Sequence, residues 1–282
     1  RVRHNRERTY KNKNIKPMKL RICLFLMATM MLLSNGQASV NVFTVKGRVT
    51  DKAGRGISGV VVNNGMAFTR TDANGYWTLR TDTFVSKFIS ISTPAAYKLP
   101  SKNGIASGFY VPVRTAVSSK SCNFVLEKRT KPADRFSYIA ISDPQMLDAA
   151  DMKRWNTELV PDMRAVVDSL SKTREVVGIT VGDIVFDNLP LLRSYAASFK
   201  NMKITMFQCI GNHDFDKRYK GLNNARLGAG AYGEMAYAAV FGPTDYSFNI
   251  GKAHVVTLKN INYKGNKAYV ETLTENQLRW LA

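Results

Sequence analysis

Between residues 41 and 127 short hydrophobic runs alternate with polar positions, and turn residues separate them. VFTVKGRVT alternates and then meets DKAGRG, a turn, and ISGVVVNNG follows. In AFTRTDANGYWTL, Thr71-Asp72-Ala73-Asn74-Gly75 reads as a turn between two short strands. KFISIST, GFYVPV and CNFVLE continue the pattern, with no helical period among them. Short strands at close spacing predict an N-terminal all-β sandwich over residues 39–130. EKRTKPAD, residues 127–134, is charged and contains a proline, so it reads as a linker. Beyond it the period changes. FSYIAIS, EVVGITV and KITMFQCI are apolar runs of strand length. Residues 151–172 place Trp155, Leu159, Met163, Val166, Val167 and Leu170 at helical spacing, and LPLLRSYAASFK reads as a second helix. Strand, helix, strand, helix, strand predicts an α/β domain over residues 131–282 with a largely parallel sheet.

The three apolar strands end alike. The first runs into Asp143-Pro144-Gln145, the second into Gly182-Asp183 and the third into Gly211-Asn212-His213-Asp214. In open α/β sheets ligands bind outside the carboxyl ends of the strands. Asp143, Gln145, Asp183, Asn212 and His213 are therefore expected to face one crevice. Any one of these residues alone reads as a cap or a turn; three matching strand ends read as a site. Oxygen donors mixed with an imidazole suit hard or borderline divalent ions such as Mn, Fe, Zn or Mg. Two such ions about 4 Å apart would clamp both oxygens of a phosphoryl displacement and acidify an attacking water. The chain has no glycine-rich nucleotide loop and no Gly-x-Ser-x-Gly elbow, which argues against a nucleotide-loop enzyme and a serine hydrolase.

GDIVFD and GNHD together resemble the motifs of the calcineurin-like metallophosphoesterases, and the likeness covers residues 136 to 282. FGPTDYSFNIGKAHVVTLKN and LTENQLRWL look like the segments that follow the third motif and precede the fourth. The resemblance implies a layered β-sandwich with flanking helices and a hydrolase acting on phosphate mono- or diesters through a hydroxide activated by two divalent ions. It implies that Asp143 binds metal 1, Asp183 bridges the metals and Asn212 binds metal 2. His213 would contact the phosphoryl group, stabilising charge or protonating the leaving group. Gln145 stands where the family usually has a histidine, and a neutral amide is the weaker ligand. VKGRVTDKAGRGISGVVVNNG with TRTDANGYWTL is similar to the carboxypeptidase-regulatory-like sandwich that precedes the catalytic domain in secreted bacterial phosphoesterases. That module implies support or attachment rather than chemistry.

Composition changes this picture at the N-terminus. The formal charge is +20 over 282 residues, but residues 1–38 hold nine Lys or Arg and one acid, so +8 of it is local. Met18-Lys19-Leu20-Arg21 is a basic start, Ile22 to Leu33 an apolar stretch too short to span a bilayer, and Ala38 ends a run of small residues. Residues 1–38 are therefore expected to be an upstream extension plus a signal peptide cut after Ala38. That gives a secreted or periplasmic protein with no membrane span after cleavage. The remaining basic charge reads as solvated surface that raises encounter rates with a small anionic phosphoester. The aromatics do not interleave with Lys or Arg as a stacking platform would, so nucleic acid is not an expected partner. The oligomeric state is not legible.

Cys122 and Cys209 lie in separate apolar runs and are expected to sit in separate cores, unpaired. His254, in KAHVVTL, reads as a structural histidine, and Asp187 and Asp214 as supporting or turn residues rather than ligands. The family's remaining histidine motifs do not follow ENQLRWLA, so the chain is expected to be C-terminally truncated within the catalytic domain and, alone, inactive. The competing reading is a non-catalytic binding or structural protein on a degenerate phosphoesterase fold.

Overall fold

The computed structural model describes residues 41–218 and 232–282, and Asn41–Ala282 form one compact unit. The segment expected to be an extension and signal peptide lies outside the described residues. Strands β1 (Val42–Asp51), β2 (Val61–Asn63), β3 (Phe68–Arg70), β4 (Tyr76–Asp82), β5 (Phe88–Ser92), β6 (Ser101–Lys102), β7 (Ile105–Ala106) and β8 (Tyr110–Pro112) precede helix α1 (Val113–Ser118), and β9 (Phe124–Leu126) follows it. The alternation in β1 and β4 works as a period of two: Val45 and Val49, and Trp77 and Leu79, face inward while their neighbours face out. The turn before β4 closes where expected, with the Asp72 carboxylate accepting the backbone N–H of Asn74 and of Tyr76, both at 2.8 Å. Two antiparallel-rich sheets result, in the orders β4-β1-β9 and β3-β2-β5-β8. Residues from both contribute to one buried apolar cluster.

Helix α1 corrects the expectation that this front part holds no helix. It follows Pro112, and Val113 and Ala116, three residues apart, are its buried positions. A six-residue helix offers too short a stretch for its period to show in the sequence.

After the front come β10 (Phe136–Ile141), α2 (Ala149–Arg154), a π-helical turn at Trp155–Leu159, α3 (Val160–Leu170), β11 (Glu175–Val181), α4 (Leu191–Ser198) and β12 (Thr205–Cys209). A 3-10 turn at Asn212–Asp214, helix α5 (Met235–Phe241), hairpins β13 (Tyr246–Ile250) with β14 (Ala253–Thr257) and β15 (Ile261–Gly265) with β16 (Ala268–Glu271), and helix α6 (Glu275–Leu281) complete the described chain. The helix expected over 151–172 begins at Ala149, capped by the Asp148 side chain, which accepts from the N–H of Ala150 and of Asp151. Its middle widens to a π-turn just before Pro161. Proline has no N–H to close an ordinary helical turn, and a widened turn accommodates that loss.

Strands β10, β11 and β12 are parallel and adjacent, as the strand-helix alternation predicts. The sheet then continues through β7, parallel to β12 at Met206↔Ile105, and β6. Two strands that the sequence assigns to the front part thus complete the sheet of the second part. Phe109 and Phe124 share their buried cluster with Val177, Phe207, Tyr246 and Phe248. The expected linker is docked: Arg129 Nε donates to Ala95 O at 2.9 Å, its guanidinium pairs with Glu175, and Ala133 is buried. The pattern change at residue 130 therefore falls inside one continuous body. Cys122 and Cys209 are both free thiols but pack against the same cluster, not separate ones. Burial pushes the Cys122 thiol up to about 12 and the Cys209 thiol up to about 11, which leaves both unreactive at neutral pH.

Candidate functional site

Because β10, β11 and β12 run parallel and in register, their carboxyl ends open on one edge. Asp143 lies two residues past Ile141, Asp183 two past Val181, and Gly211 two past Cys209. Three of these loop residues carry left-handed backbone: Asp143 at φ 48°, Gln145 at 45° and Asp183 at 46°. Residues other than glycine avoid this region at a cost of about 1–3 kcal/mol each. Three such residues on adjacent loops mark a surface shaped for something besides stability.

Asp183 is the hub. It is 7% exposed. Its Oδ1 accepts the backbone N–H of His213 at 3.0 Å, and its Oδ2 accepts Gln145 Nε2 at 3.3 Å. The Gln145 N–H donates to Asp183 O at 2.9 Å. Gln145, Asp183 and His213 are thus brought together, with the Gln145 amide nitrogen turned to the carboxylate. Gly211 makes the approach possible. A Cβ there would stand 2.1 Å from Asp183 Oδ1 and 2.2 Å from its nitrogen. Asn212 opens the 3-10 turn, half-buried, and no hydrogen bond among the described residues engages its amide. Asp143 is exposed and accepts from Ser142 Oγ; among the described residues no hydrogen bond ties it to the other four.

Asp214, at 0% exposure, seats the loop. Its carboxylate accepts the N–H of Val185 at 3.0 Å and of Gly211 at 2.9 Å. Burial, reinforced by the Asp183 charge and opposed by these N–H groups, pushes its carboxyl up to about 7. It buttresses the site, in keeping with the supporting part the sequence gives it. Asp187, at φ 61°, holds His213 by its Nδ1 at 2.9 Å and also accepts Lys217 Nζ. Burial alone would raise the Asp187 carboxyl; the Lys217 and His213 partners outweigh it and hold it below the usual range. The Phe186 ring stacks on the imidazole with centroids 4.1 Å apart and planes at 21°. Phe186 and Lys217 are missed in the sequence. Phe186 lies inside GDIVFD and Lys217 three residues beyond GNHD, but only the folded loops show that they meet His213.

Carboxylate and amide oxygens are donor types that hard divalent ions take. Among the described residues no group of three or more His, Cys, Asp or Glu is placed to hold a metal. The set therefore depends on Gln145 and Asn212. His254 stands apart, exposed on β14, its Nδ1 paired with Asn249 Oδ1 at 2.8 Å across the hairpin.

Residues 43–129 match the family model described as the N terminal of Calcineurin-like phosphoesterase. No curated protein and no solved structure matches the chain. The match supports the calcineurin-like family and points to hydrolysis of phosphoesters, chemistry that generally employs divalent metals. It falls on the β-rich front, not on the strand ends.

Proposed function

We propose that this protein is a metal-dependent phosphoesterase whose active site is the edge formed by the ends of β10, β11 and β12. The observation that carries the reading is the convergence on Asp183 of Gln145, both with left-handed backbone, and of His213 from the 3-10 turn, at that edge of a chain whose front matches a phosphoesterase family. Asp143, Gln145, Asp183 and Asn212 would hold divalent ions. Such ions, when bound, supply Lewis-acid polarisation of phosphoryl oxygens and acidify water. Asp183 is fixed by two donors, so its carboxylate is oriented before a ligand arrives. His213 has Nδ1 engaged by Asp187, and among the described residues no hydrogen bond engages Nε2. That nitrogen is the one positioned to give a proton to a departing oxygen. The β-rich front supplies sheet strands and core, and the stretch from Met18 to Ala38 acts as an export signal behind an upstream extension. The competing reading, a degenerate binding protein, draws on the lack, among the described residues, of three His, Cys, Asp or Glu placed in one group to hold a metal.

Hydrolysis of an aryl phosphodiester with excess Mn²⁺ separates the two. In the full-length natural protein the wild type should turn over, and His213→Ala should slow turnover by about 10²-fold or more while still binding Mn²⁺. Equal turnover in the variant removes His213 from the chemistry, and no turnover in the wild type favours the binding protein.

A further inference from the structure

Two large apolar side chains stand exposed at the mouth of this edge: Leu147 at 53% and Phe186 at 40%. They are neighbours by construction. Met146 and Val185 form a parallel bridge, and the Phe186 N–H donates to Met146 O at 3.0 Å. Asn188 Nδ2 ties the same loops together by donating to Leu147 O at 2.8 Å. Met146 and Val185 point into the core, at 1% and 0% exposure. Alternation along paired extended chains sends the next residue of each, Leu147 and Phe186, to the opposite face. The Phe186 ring is anchored by its stack on His213, so its position relative to the imidazole is fixed.

We infer that Phe186 and Leu147 form an apolar ledge for the leaving group, and that the preferred substrates are phosphoesters of flat, hydrophobic alcohols such as phenols. The inference rests on the phosphoesterase reading and deepens it. In the reaction, a water that has given one proton to solvent bonds through its oxygen to phosphorus, the bond from phosphorus to the leaving oxygen breaks, and His213 Nε2 gives that oxygen its proton and regains one from solvent. The carbon skeleton on that oxygen must then lie beside the imidazole, where the ledge is. A flat ring laid there removes apolar surface from water on both partners and gains an offset-stacking contact with Phe186. A small hydrophilic alcohol gains neither.

The test is binding, which does not depend on turnover. Affinities of phenylphosphonate and methylphosphonate are measured by calorimetry in the presence of Mn²⁺, with wild type, Leu147→Ala and Phe186→Ala. The expected result is a preference for the phenyl compound of about tenfold in the wild type, reduced in each variant. Leu147 is a surface residue, so its variant keeps the test valid if Phe186→Ala misfolds. Equal affinities for the two phosphonates, a preference unchanged in both variants, or no binding of phenylphosphonate would overturn the inference. Hydrolysis of phenyl phosphate by the full-length natural protein is followed alongside: a phenyl preference without hydrolysis there sinks the enzyme reading and leaves the ledge standing.

Discussion

Gly211 carries more of the site than its size suggests. It is the point where the β12 loop passes against Asp183, and any side chain there collides with the carboxylate and its backbone nitrogen. Gly211→Ala must push Asp183 away or shift the loop, at a cost of about 1–3 kcal/mol. The expected outcome is a lower urea midpoint together with loss of phosphoesterase activity; unchanged activity would mean that Asp183 tolerates displacement. The sequence shows Gly211 as a turn residue because glycine before Asn-His-Asp interrupts an apolar run. It shows Asp143, Asp183 and His213 for the same reason: polar residues abruptly end apolar runs of strand length. Phe186 and Lys217 are hidden. An aromatic or a lysine near a motif is ordinary, and their contacts with His213 and Asp187 arise only from loop geometry.

Among the elements, periodicity reveals the long ones. β1, β4, β10, β11 and β12 each alternate or run apolar over five or more residues, and each forms where expected. The short elements escape. β6 and β7 are two residues each, and nothing local says that they belong to the sheet of the second part. Their place is set by tertiary contact, with the Met206 N–H donating to Gly104 O at 2.7 Å. Gly104 sits at φ 82°, and a Cβ there would stand 2.5 Å from Phe199 O. Gly104→Ala should therefore destabilise the protein by about 1–3 kcal/mol through strain and overpacking, read as a lower unfolding midpoint. A midpoint equal to wild type would show that β7 is not held beside β12. The docking of Arg129 is equally illegible, since a charged stretch with a proline ordinarily remains solvated.

At the scale of the whole molecule, the front and the rest are joined by charge as well as by core. Glu234 is 5% exposed. It accepts Lys87 Nζ, just before β5, at 3.1 Å and also Lys259 Nζ, after β14. Burial alone would raise the Glu234 carboxyl, but Lys259 and Lys87 outweigh it and hold it below its ordinary 4.5. A depressed carboxyl stabilises the fold above 4.5 and loses that contribution as pH falls through the folded value. Glu234→Gln removes the buried anion that Lys87 and Lys259 share and should cost about 3 kcal/mol at pH 7. The variant should also lose less stability than wild type between pH 5 and pH 3, measured by urea unfolding at each pH. An identical acid slope in both would remove Glu234 from the account.

The strand-end edge as a metal-dependent centre is the central claim, and Asp183 is its hub. Mn²⁺ affinity, followed by electron paramagnetic resonance of the free ion, tests it in wild type and Asp183→Asn. The substitution keeps the shape and removes the charge. The account predicts Mn²⁺ binding by the wild type that weakens about tenfold or more in the variant. Equal affinity in the two proteins would contradict it.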